Sequence, residues 1–325
     1  MEKEHEAVGE INRPRFSLYM KILLWIVLPL HFVLRAITSP ISAAFIPALL
    51  IPASYLLRYD RTRPAEQQVD LEAFIWTFVQ GGLFGSSAVA VIQTILSWIF
   101  IFVAYRGFTF EIIKQVLWGP LDMATLQAAV TDYMKQQHAL YTFVSLSHHL
   151  VTAISEASLS YFALMHARRH GRIVHEHNCV TLGAAAALGY ITVQSHLFLN
   201  SATQMDYEPI DIVNNLLDYG WGIYIMSGRL TGLGVARRDF RGENLSIWKI
   251  LYLPVLFHCT WVFSMIFGGK IIYSVGKHMG LFPLLGPSAV QLYGIIIISV
   301  IVQGSLALVL RGRFVRWEAQ QKKSP

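Results

Sequence analysis

Charge is scarce in this sequence: only 14% of its 325 residues are Asp, Glu, Lys or Arg, against 54% hydrophobic residues. So apolar a chain does not fit a single soluble core, and its apolar runs are long enough to cross a bilayer, which excludes an ordinary soluble enzyme. Cysteine is almost missing. Cys179 and Cys259 fall in separate apolar runs, so neither a disulfide framework nor a CxxC metal site is available. There is no DDxxD run to gather magnesium around a diphosphate, and no HExxH to set two imidazoles and a base on one helix face. The polar segment 1–15 leads into an apolar run without a small-residue cleavage site, so a cleaved signal peptide is not expected.

What the sequence does hold is a series of apolar windows of about 20 residues. They fall at 16–34, 36–57, 74–104, 140–166, 179–200, 216–236, 247–268 and 288–310. The expected fold is an all-α, polytopic membrane helix bundle of about eight transmembrane helices. The loops give an independent check. Arg58, Arg61 and Arg63 follow the second window; Arg168, Arg169 and Arg172 the fourth; Arg237, Arg238 and Arg241 the sixth; Arg311, Arg313, Arg316, Lys322 and Lys323 the eighth. Basic residues favour cytosolic loops, so this alternation puts both termini in the cytosol. The net charge of +6 resides in these clusters, where it sets topology, and nucleic acid is not an expected partner.

The chain divides into a cytosolic tail at 1–15, N-terminal helices and an outer loop at 16–138, a four-helix core at 139–268, and a last helix with a basic tail at 269–325. Pro29, Pro40, Pro47 and Pro52 crowd the first two windows and are expected to kink or interrupt them. In the long loop 106–137, Ile112, Ile113, Val116 and Leu117 lie near Phe108 and Phe110. That pattern suits an interfacial amphipathic helix and equally a plain surface connection.

Charges inside the apolar windows are costly and point to function or to pairing. Glu156 stands near the middle of the fourth window, Arg229 near the middle of the sixth and His258 near the middle of the seventh; Gln194 and His196 lie in the outer half of the fifth. Bundled helices would let Glu156, Arg229 and His258 meet around one cavity, with Arg229 as counter-ion and His258 as proton partner. A structural ion pair of Glu156 with Arg229 is the competing reading. Tyr161, Phe162, Tyr190, Trp221, Tyr224, Trp261 and Phe263 suit the walls of a pocket for an isoprenoid chain and its developing cation, or ordinary core packing. No metal site is expected. His148 and His149 point to different helix faces, so at most one can join His196; His166, His170, His175, Glu176 and His177 read as a solvated loop, and Asp206, Glu208 and Asp211 as acidic outer-loop topology.

Several short motifs between 145 and 267 line up with a family. Ser155-Glu156 stands where a Glu-Glu pair is expected, and Gly189-Tyr190 leads to Gln194 in place of a second-helix Glu. Leu230-Thr231-Gly232-Leu233-Gly234 forms a small-residue segment with Ser227 at the position of its His, and His258-Cys259-Thr260-Trp261 closes the set with Val262 in place of a polar residue. The segment resembles PrsW-type glutamic intramembrane proteases. That resemblance implies a four-helix membrane core in which Glu156 and His258 are the retained members of the catalytic set. With so little of the hydrolytic apparatus kept, a simpler task fits: protonation of a lipophilic substrate by one acid with one imidazole. In size, span number and isolated membrane acids the chain is also similar to fungal membrane-bound terpene cyclases.

The expected function is therefore acid-initiated cyclisation of a prenylated or terpenoid epoxide in secondary metabolism, in a multi-pass protein of the endoplasmic reticulum. Glu156 would be the acid, His258 the proton partner and Arg229 the electrostatic tuner; Tyr161, Tyr190, Gln194, His196, Trp221 and Trp261 would contact substrate. No cofactor is expected, and the partners are a lipophilic small molecule and the bilayer. The alternative is a PrsW-like protease or an inactive membrane scaffold.

Overall fold

A computed structural model describes residues 16–38, 40–104, 138–204 and 221–279, with single positions between 297 and 312. Apart from those single positions, the predicted eighth helix and the C-terminal tail lie outside the described residues, as do the N-terminal tail, the loop 106–137 and the acids Asp206, Glu208 and Asp211.

Every described element is helical, and no strand occurs among the described residues. Helix α1, Leu18–Thr38, opens under the Ser17 side chain, which accepts from the Met20 amide, and widens to a π-helix over Leu23–Val27 just before Pro29. Helix α2, Pro40–Asp60, starts on a proline, whose missing N–H is an orphan at that position anyway. Pro47 and Pro52, expected to kink or interrupt this segment, lie inside the helix, which runs on past both to Asp60. Helix α3 begins at Leu71 under Asp70, which caps Ala73, and runs through Leu71–Val79 and the π-helical Gln80–Gly85 into Ser86–Ala104. Helices α4, His138–Arg169, α5, Glu176–Gln204, α6, Trp221–Arg241, and α7, Ile247–His278, follow.

Helix α5 is the axis of the molecule. Residues 178–191 are buried without interruption, and burial on all sides over almost four turns requires neighbours all round. Glycines permit this. A Cβ on Gly81 would lie 1.9 Å from the Ala186 carbonyl oxygen and one on Gly189 1.8 Å from that of Phe78, so α3 and α5 touch backbone to backbone. On the other side a Cβ on Gly183 would meet the Gly228 carbonyl at 2.3 Å, and one on Gly232 that of Cys179 at 2.2 Å, so α5 and α6 do the same. Lipid supplies no hydrophobic drive between helices, and close approach at small residues supplies dispersion contact instead. Three described helices are long and apolar enough to cross a membrane, Leu18–Thr38, Leu71–Leu96 and Ile247–Ser264. Many of their large side chains, including Trp25 at 78% and Ile37 at 74%, remain exposed, as a lipid-facing surface requires. These are the features of a membrane protein.

The basic ends of α2, α4 and α6 gather at one end of the bundle. Helices α4 and α6 both stop before a left-handed glycine, Gly171 (φ 66°) and Gly242 (φ 67°), the ordinary way to close a helix. Asp239 is held by Arg168 and by Arg238 (2.6 Å), Arg241 reaches Glu176 at 3.3 Å, and Arg172 reaches Glu72 at 3.4 Å. Asp60, fully buried, accepts from the Val69 amide at 2.8 Å and the Thr181 hydroxyl at 3.3 Å, tying α2 to the start of α5.

Burial alone would raise the Asp239 carboxyl, but the hydrogen bonds from Arg238 and Arg168 outweigh it and hold it below the usual aspartate range. A depressed acid contributes stability above its ordinary pKa, and that stability is lost as pH falls through that value towards the folded one. Asp239→Asn is expected to destabilise the purified protein by about 2 kcal/mol at pH 7, the scale of hydrogen bonds to a charged group. The difference between variant and wild type, read as a melting shift, should shrink steadily as pH falls below the ordinary aspartate value of about 3.9.

Candidate active site

Four helices each deliver one polar or aromatic group to a single buried place. Glu156 comes from α4, Tyr190 from α5, Tyr224 from α6 and His258 from α7. His258 Nδ1 lies 3.0 Å from Glu156 Oε2, with both side chains about 95% buried. The Tyr190 hydroxyl also bears on the Glu156 carboxylate. Tyr224 stacks edge-on against His258 at 5.6 Å between ring centroids and lies 5.9 Å from Tyr190. The imidazole is thus oriented by an aromatic wall, and the carboxyl faces it from the next helix but two. Trp261, one turn after His258 on α7, is also buried.

This arrangement can move a proton. The facing atoms, 3.0 Å apart, are close without being aligned as a hydrogen bond, so a small rotation of the imidazole brings carboxyl and ring into line to share a proton, and the surrounding helices exclude bulk water. Thr152, one turn before Glu156, binds Gln93 of α3 at 2.5 Å, which fixes the α3–α4 contact beside the site. Sequence reasoning passed over Gln93, although a lone amide in an apolar run is the same kind of signal as Glu156. Tyr224 was visible only as one aromatic among seven.

The structure separates several other candidates from this place. Arg229 does not face Glu156: its guanidinium lies 5.9 Å from the centre of the Tyr59 ring on α2. The reason is helix phase. Arg229 follows Tyr224 by five residues, which rotates it about 140° around α6, so when Tyr224 faces His258, Arg229 faces away. In place of an ion pair of Glu156 with Arg229, the carboxyl of Glu156 meets the imidazole of His258. Tyr161 is likewise displaced, because its hydroxyl accepts from Arg238 at 2.7 Å at the basic end. Gln194 follows Tyr190 by one turn and is partly buried. His196 packs edge-on against His31 of α1 at 5.8 Å, outside the Glu156 cluster. The side chains of Trp221 and His148 lie outside the described residues. Among the described residues no group of three or more potential ligands is placed to hold a metal.

On the other face of α4 an apolar groove of about 460 Å³ opens between α3 and α4, lined by Ala88, Ile92, Val151, Ile154, Ser158 and Phe162, with Ser155 and Leu159. Ser155 belongs to the groove and Glu156, the next residue, to the buried cluster. No protein-family model, curated protein or solved structure matches this chain.

Proposed function

We propose that the protein is a multi-pass membrane terpene cyclase of the endoplasmic reticulum, with about eight spans and both termini cytosolic, that closes rings by protonating a prenylated or terpenoid epoxide. The observation that carries this reading is the buried contact of Glu156 with His258 among Tyr190, Tyr224 and Trp261. Glu156 gives its proton to the epoxide oxygen as the C–O bond breaks. The cation so formed is attacked by a double bond of the same chain, which makes the ring bond, and ring faces stabilise the charge as it moves. The adjacent carbon then loses a proton to His258, which returns it to Glu156. Substrate and product are isomers, and no cofactor enters the balance.

Glu156 and His258 are also the two residues retained from the PrsW-type motifs, so water activation for peptide hydrolysis is the second reading. One experiment separates them. Membranes holding the protein are incubated with prenylated phenols bearing a terminal epoxide, and in parallel with a labelled transmembrane peptide. A cyclised product of unchanged mass supports the cyclase, and His258→Gln should slow its formation at least about tenfold, a modest share of what a general acid–base partner contributes. Peptide cleavage, or an unchanged rate in the His258 variant, overturns it.

A further inference from the structure

Arg229 is displaced from the acid–imidazole cluster, and its surroundings suit a different task. Two guanidinium groups converge on the Tyr59 ring: Arg63 at 5.4 Å and Arg229 at 5.9 Å from its centroid. Among the described residues no carboxylate lies against either one. Arg63 keeps a buried terminal nitrogen with no hydrogen-bond partner among those residues. Like charges brought to one ring repel each other, and a buried donor left unpaired is costly. Such a pair is stable when an anion joins it, and guanidinium forks match the oxygens of a phosphate.

The level and the opening of this place indicate what carries the anion. Arg229 adjoins Gly228, which packs against Gly183 of α5, and Tyr190 of the buried cluster lies seven residues further along α5, about 10 Å away. The cradle is thus set towards the basic end of the bundle. Among the described residues nothing closes its outer side. Tyr59 is 48% exposed and Tyr55, one turn earlier, 71%; Ile51, one turn earlier again, is 62% exposed. Spacing of four residues aligns the three along one stripe of α2, about 12 Å long. Tyrosines at such a position match the polar–apolar boundary of a bilayer, and the stripe continues into the hydrocarbon as a track for a chain.

We infer that Arg63, Arg229 and Tyr59 form a binding site for a lipid-borne phosphate, whose chain lies along Tyr55 and Ile51. The source of the phosphate is either a membrane phospholipid or the diphosphate of a prenyl compound. The site does not depend on the chemistry assigned to Glu156.

The test is binding of defined lipids to the full chain in neutral-lipid nanodiscs, read by native mass spectrometry. Phosphatidic acid, phosphatidylcholine, geranylgeranyl diphosphate and inorganic phosphate serve as probes. The wild type should bind phosphatidic acid or the prenyl diphosphate at least about tenfold more tightly than phosphatidylcholine, and the Arg63→Gln/Arg229→Gln double variant should lose at least about tenfold, corresponding to about 1.4 kcal/mol. Tighter binding of phosphatidic acid assigns the site to membrane phospholipid, and tighter binding of the prenyl diphosphate to a prenyl compound. Equal affinity in the double variant, or inorganic phosphate bound as tightly as either lipid, overturns the inference. Should the double variant fail to accumulate, Arg63→Gln alone, with its side chain at the helix end, should weaken binding about threefold and Arg63→Lys should restore part of the loss. An unchanged affinity in Arg63→Gln refutes the site.

Discussion

Glu156→Gln is expected to lower cyclisation at least about a hundredfold while the protein still reaches the membrane, because general acid catalysis contributes about 10²–10⁴-fold. The amide has the shape of the acid and keeps one acceptor for His258 and Tyr190, but it holds no proton that it can give to an epoxide oxygen. A purely structural pair makes a different forecast. If Glu156 served only to compensate His258, removing its charge would destabilise the protein by about 3–5 kcal/mol, the scale for breaking a buried pair, and any loss of product would follow the loss of folded protein. Product formation per folded molecule, with folded protein counted by size-exclusion chromatography, distinguishes the two. Full activity in Glu156→Gln would remove the acid from the mechanism. Glu156→Asp draws the carboxyl back by one methylene from its 3.0 Å contact with His258 and should retain an intermediate rate.

Gly189→Ala is expected to have the largest effect on folding. The added methyl group would sit 1.8 Å from the Phe78 carbonyl oxygen and 2.7 Å from its carbon, both backbone atoms of α3 that no rotamer change can move aside. Overpacking of this kind costs about 1–3 kcal/mol even where side chains can adjust, so a loss of at least about 3 kcal/mol is expected here, read as a fall in melting temperature in detergent. Activity should fall with it, since Tyr190, the neighbouring residue, bears on Glu156. Gly171→Ala is the informative control. Nothing lies within 4 Å of its added Cβ, and only the left-handed φ of 66° opposes it, so about 1–2 kcal/mol is expected. Equal losses at the two positions would show that α3 and α5 can separate without penalty.

The two predictions draw on different parts of what is legible in the chain. Glu156 stands out by itself, since a carboxyl among Val, Ala, Ile and Leu must find a partner. Its partner does not stand out in the same way. Arg229 and His258 occur at similar positions in their apolar windows, and Coulomb attraction alone favours the arginine. Five residues of helix phase between Tyr224 and Arg229 decide otherwise. The glycines are legible as small residues, but their pairing across helices, Gly81 with Ala186 and Gly183 with Gly228, depends on crossing points that no local pattern specifies.

Helical architecture, membrane character and the clustering of basic residues at alternate helix ends follow from hydropathy, periodicity and charge, which are local properties of the chain and survive any rearrangement of the helices. The identity of the pair at the buried site, the removal of Arg229 to Tyr59 and of Tyr161 to Arg238, and the separation of the Ser155 groove from the Glu156 cluster were decided by packing alone. A side chain's neighbours across a bundle depend on the rotation and depth of every helix at once, and in lipid those are set by where small residues let backbones touch.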